Sequence, residues 1–271
     1  YMKNSLTDYR LYHGAWVYCG RPDMEQRLTK KQAKALLAEG GLFVRNIYDF
    51  DCQEETSFWM IVKDHFDDIP QLKTSIRTTI RKSLKTYDFK RIPSLPEFVE
   101  LAYPVYREAM LNYKVKAIPD SKEKFMADCA SRTNGEYWVG VERQTGEPAV
   151  IAVNQVYKDM CEEVVLKTRP KFMHNSTYPT NGLLYEMYRY YLQERGVNML
   201  CIGARSLTEH SNIQHYVIHK FNYRKAYCRM EIFYQPWLGI LVKLLYPFRE
   251  YIPILKVKSL LRMEAMRRNE Y

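Results

Sequence analysis

The sequence is short of the features that announce a function most directly. Its six cysteines, Cys19, Cys52, Cys129, Cys161, Cys201 and Cys228, fall at no paired Cys-x-x-Cys spacing. That excludes a zinc ribbon or a disulfide-framed module, and the expectation is reduced, mostly buried thiols of a cytoplasmic protein. Histidine is scarce as well, at six residues with no His-Glu-x-x-His pair. His215 and His219 stand one helical turn apart without a neighbouring carboxylate or cysteine, so no metal site is expected. There is no low-complexity tract and no internal repeat, which argues against disorder and against a solenoid. Residues 1–10 are polar and mixed, unlike a secretory leader. The longest nearly uncharged apolar stretch, 236–248, is interrupted by Lys243 and is too short to span a bilayer.

What is present is a well-mixed chain of 271 residues, 46% hydrophobic, long enough for one large domain or two small ones. Tyrosine outnumbers phenylalanine 23 to 11, a bias that suits half-buried surfaces with a wet edge. The 41 basic residues against 31 acidic ones leave a formal charge of +10. Such a field attracts polyanions: nucleic acid, phosphorylated cofactors or anionic headgroups.

Patterning divides the chain into an N-terminal α/β segment, 1–88, a longer α/β domain, 89–234, and an apolar, then basic tail, 235–271. In the first segment, 11–19 and 41–50 read as strands around a helix at 29–39, with Thr29 as N-cap and Gly40-Gly41 as stop. Residues 58–62 read as a buried strand. A helix over 69–86 follows, capped by Asp67 or Asp68. Beside its apolar face, Lys73, Arg77, Arg81 and Lys85 recur every four residues. Like charges at that spacing oppose helix formation by a few tenths of a kcal/mol per pair, roughly. A use for them is therefore expected: holding an anionic substrate or an RNA.

Residues 88–92 read as a strand, 96–112 and 121–131 as helices, and 136–142 with 149–157 as a hairpin turning at 144–147. From 161 to 234 the pattern is one β-α-β-α-β run. A strand at 161–169 leads through a polar loop, 175–182, to a helix at 183–195. A strand at 199–203, a helix at 211–220 and a strand at 227–234 complete it.

The order strand, two helices, three antiparallel strands, helix, strand, helix, strand resembles the GNAT (acyl-CoA N-acyltransferase) fold. Ser211-Asn212 followed by Lys220-Phe221-Asn222-Tyr223 resembles that family's last helix and the Gly-Phe pair after it. The strand at 58–64 followed by the Arg-rich Ser75-Ile76-Arg77-Thr78-Thr79-Ile80-Arg81 is also similar to FemAB-like transferases. The resemblance implies an α/β (α+β) fold with a mixed, mostly antiparallel sheet flanked by helices, plus the additional N-terminal segment.

It also implies an acyltransferase moving an acyl or aminoacyl group to an amine. The donor would be acyl-CoA, for instance acetyl-CoA, or an aminoacyl-tRNA with a cell-envelope precursor as acceptor. A catalytically silent scaffold of the same fold is a third reading. The family's glycine-rich phosphate loop is represented only by Tyr178-Pro179-Thr180-Asn181-Gly182-Leu183, with one glycine and a proline that lacks an N–H. Thr180, Asn181, Gly182 and Asn212 are the cofactor-binding candidates, since a helix N-terminus favours phosphate. Lys73, Arg77, Arg81 and Lys85 are the polyanion or substrate candidates.

For catalysis, Glu162 and Glu163 adjoin the central strand on opposite faces, so only one enters a cleft. His174 is a loop alternative. The position of the family's tyrosine acid falls on Ile218, with Tyr216 beside it as the candidate acid. The tail joins Trp237 and Tyr246 to a cationic helix bearing Lys256, Lys258, Arg262, Arg267 and Arg268. It is expected to lie against a partner or an anionic membrane surface, at the inner face of the membrane for a cytoplasmic protein.

Overall fold

The computed structural model describes residues 6–113, 118–132, 134–207 and 213–271. The chain forms strands β1 (Tyr9–Tyr12), β2 (Ala15–Tyr18), β3 (Phe43–Tyr48), β4 (Trp59–Lys63), β5 (Tyr87–Ile92), β6 (Gly135–Glu142), β7 (Pro148–Val156), β8 (Met160–Thr168), β9 (Met199–Ala204), β10 (Arg224–Tyr227) and β11 (Arg229–Tyr234). Its helices are α1 (Lys30–Ala38), α2 (Thr74–Thr86), α3 (Leu95–Leu111), α4 (Lys122–Ala130), α5 (Pro170–Met173), α6 (Pro179–Tyr188), α7 (Ile213–Phe221), α8 (Pro236–Leu245) and α9 (Leu255–Arg267). Two compact units emerge. One comprises 1–61, 204–210 and 225–271, the other 62–203 and 211–224. Both are therefore discontinuous in sequence, and 235–271 lies wholly within the first.

The first unit is built on a four-stranded sheet in the order β1-β2-β3-β11, in which β2 and β3 are parallel and the other pairs antiparallel. Local chemistry explains its helix: the Thr29 side chain accepts from the Gln32 N–H while Gln32 reaches back to the Thr29 N–H, a reciprocal cap. Leu28, Ala33 and Leu36 then bury against Tyr9 and Val44. Residues 11–19, expected as one strand, form parts of two. His13 and Gly14 both adopt positive φ (49° and 83°) and reverse the chain between β1 and β2.

The expected strand 227–234 is likewise two, β10 and β11, which belong to different sheets. The tail does not lie beyond the fold. α8 and α9 bury Leu238, Val242, Tyr246, Leu261 and Ala265 in a shared core with Phe43 and Tyr234.

In the second unit β9-β8-β7-β6-β5 lie in that spatial order. β5 to β8 are antiparallel neighbours, whereas β8 and β9 are parallel. One face carries α3 and α4: Phe98, Val99, Ala102, Val105 and Phe125 pack on Val139, Ile151 and Val153. Alternation along β7 turns Ala152 and Asn154 to the opposite face, where Asn154 meets Met187 of α6. The helix expected at 69–86 starts as a short 3-10 turn (Ile69–Gln71) capped by Asp68, and becomes α-helical only at Thr74. The helix expected from 183 instead begins at Pro179, and its last turn, Arg189–Glu194, is a π-helix. The fold is thus α/β, with mostly antiparallel sheets flanked by helices.

Candidate functional site

Three features of the second unit converge on Glu163. The parallel ladder between β8 and β9 pairs only Met160 with Met199, Cys161 with Leu200 and Glu162 with Cys201. Glu163 is the first residue of β8 beyond it. On the other side, the register to β7 slips between Val153 and Asn154, so that Val153 faces Val165 but Asn154 faces Glu163. Such a bulge leaves one residue unpaired and re-aims its neighbours. Glu163 and Asn154 are therefore cross-strand partners on one face, at the point where one ladder ends and the other is broken.

Glu163 is 6% exposed, and the Tyr223 hydroxyl donates to its Oε1. Burial pushes its carboxyl up to about 7, against which the Tyr223 hydrogen bond pulls down. Tyr188 of α6 completes the surround, fully buried with its ring 5.4 Å from that of Tyr223. The π-helical turn after α6 presents Tyr191, whose hydroxyl accepts from the Trp138 Nε1–H at 2.9 Å and from the Asn154 Nδ2 at 3.2 Å, and donates to Glu136 at 3.0 Å. Asn154 is thereby held by its amide nitrogen. Three polar groups around this point have no hydrogen-bond partner: the acceptors Oε2 of Glu163 and Oδ1 of Asn154, and the Tyr188 hydroxyl. A buried polar group without a partner costs about 1–3 kcal/mol, so the group of them calls for an explanation.

Of the other sequence-derived candidates, Glu162 points to the opposite face, where burial raises its pKa and Arg132 lowers it. His174 follows α5 in an exposed loop. Tyr216 is half-buried on α7 and donates at 2.6 Å to Oδ1 of Asn181, whose Nδ2 in turn donates at 2.8 Å to Thr79 of α2. Asn181, 4% exposed, thus links three helices.

Gly182 serves close packing. A Cβ there would stand 2.4 Å from Ser83 Oγ and 2.5 Å from the Phe89 ring. Thr180 bonds Thr168 through their hydroxyls at 2.7 Å. The N–H groups of Asn181 and Gly182 both reach Tyr178 O, at 3.0 and 3.5 Å, and Tyr178 itself is held at φ 56°, a rare conformation for a bulky residue. The first turn of α6 spends its side chains on α2, α7 and β8. Asn212 lies outside the described residues.

On α2, Lys73, Arg81 and Lys85 are exposed, whereas Arg77 is half-buried and donates through Nε to Leu72 O at 2.5 Å. The nearby cations extend this patch to α7. His215, whose ring centroid is 4.0 Å from that of His219, together with Lys73 and Lys220, holds His219 below its ordinary range. Lys220 also donates to Ser75 Oγ at 3.3 Å. Tyr223, Asn154 and Tyr191 carry the centre of the site but were not singled out from sequence for it. The only local signal was Tyr223 in the segment after α7.

No family model matches the sequence, and no curated protein matches it. Solved structures do. The chain is similar to L-PGS from Bacillus licheniformis, with 12% identity over 88% of this chain and 84% of that one and a TM-score of 0.54. It is similar to the C-terminal domain of a putative lysylphosphatidylglycerol synthetase from Agrobacterium fabrum, with 9% identity over 87% and 82% and a TM-score of 0.50. It is also similar to FemX, with 11% identity over 82% and 72% and a TM-score of 0.50. At such identities the likeness shows the fold alone, a GNAT-like one.

Proposed function

We propose that the chain is a transferase that moves an acyl or aminoacyl group to an amine, with Glu163 as the base. The observation that carries this reading is the pair of donorless acceptors, Glu163 Oε2 and Asn154 Oδ1, on one face at the end of the β8–β9 ladder. An amine supplies the N–H groups both oxygens lack. A carboxylate titrating at about 7 is half-ionised near neutrality, where a general base is most effective. In the step envisaged, the amine nitrogen attacks the donor carbonyl carbon and one amine proton passes to Glu163 Oε2. The carbonyl–oxygen or carbonyl–sulfur bond to the donor then breaks, and the leaving group takes up a proton. Tyr223 keeps Glu163 oriented, and the rest of the rate comes from positioning.

Two donors fit this chemistry. Acyl-CoA would place its phosphates at Thr180–Gly182, the first turn of α6. An aminoacyl-tRNA is favoured by a specific observation: that turn is packed against α2, which carries the exposed cations Lys73, Arg81 and Lys85 and is met at its start by Lys220 of α7. The test uses the full chain with coenzyme A and with total tRNA, in equilibrium binding at two salt concentrations. Salt-sensitive tRNA binding that Lys73→Glu/Arg81→Glu/Lys85→Glu abolishes, without coenzyme A binding, supports the tRNA donor. Coenzyme A binding that Asn181→Asp weakens supports the acyl-CoA donor. Binding of neither would return the chain to the scaffold reading. Transfer of label from the bound donor to an amine must then fall at least about a hundredfold in Glu163→Gln.

A further inference from the structure

The outer face of α8 is out of keeping with a surface that only meets water. Trp237, Ile240, Leu241 and Leu244 follow one another at helical spacing, Phe248 continues the row in the 3-10 turn just beyond the helix, and Trp237, Ile240, Leu244 and Phe248 are 57–64% exposed. The inner face of the same helix, Leu238 and Val242, is fully used against Tyr246, Leu261 and Ala265. α8 is thus apolar on both sides, with only one side covered. The connection to α9 continues the pattern, since Tyr251 and Ile254 are 86% and 61% exposed. Contiguous exposed apolar surface of this kind marks an interaction site.

Charge and residue type indicate the partner. The segment 235–271 carries seven basic and three acidic residues. Arg267 and Arg268 are bound to the buried Glu264 at 2.6 and 2.8 Å, so their charge is met within the chain. Lys243 and Lys256 are exposed, one on α8 and one at the start of α9. Large apolar side chains with a tryptophan, bordered by lysines, match the interface of an anionic bilayer. There the indole and tyrosine rings occupy the headgroup level while lysines meet phosphate. No helix among the described residues is long and apolar enough to cross a membrane, so the contact is a peripheral one.

We infer that the exposed face of α8, with Tyr251 and Ile254, docks the protein on an anionic lipid surface. This inference stands on the first unit alone and does not depend on the transferase reading. The full chain is floated with vesicles of phosphatidylcholine and with vesicles of equimolar phosphatidylcholine and phosphatidylglycerol. Binding to the anionic vesicles only is expected, with a blue shift of tryptophan emission that Trp237→Phe removes. Ile240→Ser/Leu244→Ser should abolish binding, and Lys243→Glu/Lys256→Glu should weaken it by about tenfold or more. These positions are exposed, so the circular dichroism and melting temperature of the variants should match the parent. If either pair fails to fold, Trp237→Phe still reports through its emission. Absence of binding to anionic vesicles overturns the proposal, and so does binding that both double variants leave unchanged. A stable dimer that Ile240→Ser/Leu244→Ser dissociates, with no vesicle binding, would assign the face to a second copy and equally overturn it.

Discussion

Replacing Glu163 by glutamine should make the protein more stable at alkaline pH while removing its proposed activity. The Glu163 carboxyl has its pKa raised from 4.5 to about 7 by burial. A raised carboxyl means that the folded state binds more protons than the unfolded state between those two values. Stability contributed by this group is therefore fully present below about pH 4.5 and is lost as pH rises through about 7. At about 1.4 kcal/mol per unit, the loss amounts to about 3 kcal/mol above pH 7.

Glutamine keeps the shape, can accept from Tyr223 and carries no charge, so Glu163→Gln escapes that loss. Urea unfolding by circular dichroism at several pH values between about 4 and 8 should show the two proteins nearly equal at the acid end. The variant should then gain over the parent as pH rises, by up to about 3 kcal/mol. Parallel pH dependences would refute the reasoning, because they would mean that Glu163 ionises in the native state as easily as in the unfolded chain.

Further outcomes follow from the same contacts. Tyr223→Phe removes a hydrogen bond that lowers the Glu163 pKa, so the pH–rate profile for transfer should move to higher pH with the base still in place. Gly182→Ala drives a Cβ into Ser83 and Phe89 and should cost about 1–3 kcal/mol, seen as a lower urea midpoint. Asn181→Ala leaves Thr79 and Tyr216 without their shared partner and should cost about 1–3 kcal/mol by the same measurement.

Much of the fold was legible because the local signals agreed with the tertiary result. The Thr29 cap, the hairpin at 144–147, the alternation in β6 to β8 and the apolar spacing of α2 all report interactions between near neighbours in sequence. Legibility failed where distant packing decides. Nothing local tells that Tyr227 and Arg229 join different sheets, or that the tail fills the core of the first unit.

The site shows the same division. Strand alternation allows only one of the candidate bases Glu162 and Glu163 into a cleft, with His174 as an alternative, and does not choose among them. The proposal of Glu163 rests on burial, on Tyr223 sixty residues away and on a slip in register that leaves no mark in the residue pattern. Gly182 looked like a phosphate-loop glycine, and its environment gives it a packing role as well. The four-residue spacing of cations on α2 was readable, whereas their continuation onto α7 required the fold.

The most direct test of the account is the ionisation of Glu163 itself. With glutamate labelled at the side-chain carboxyl carbon, the signal that disappears in Glu163→Gln can be followed against pH by carbon-13 NMR. The account predicts a midpoint at about 7, well separated from the exposed glutamates. A midpoint near 4.5, the ordinary value for this side chain, would contradict it and remove the base from the proposed reaction.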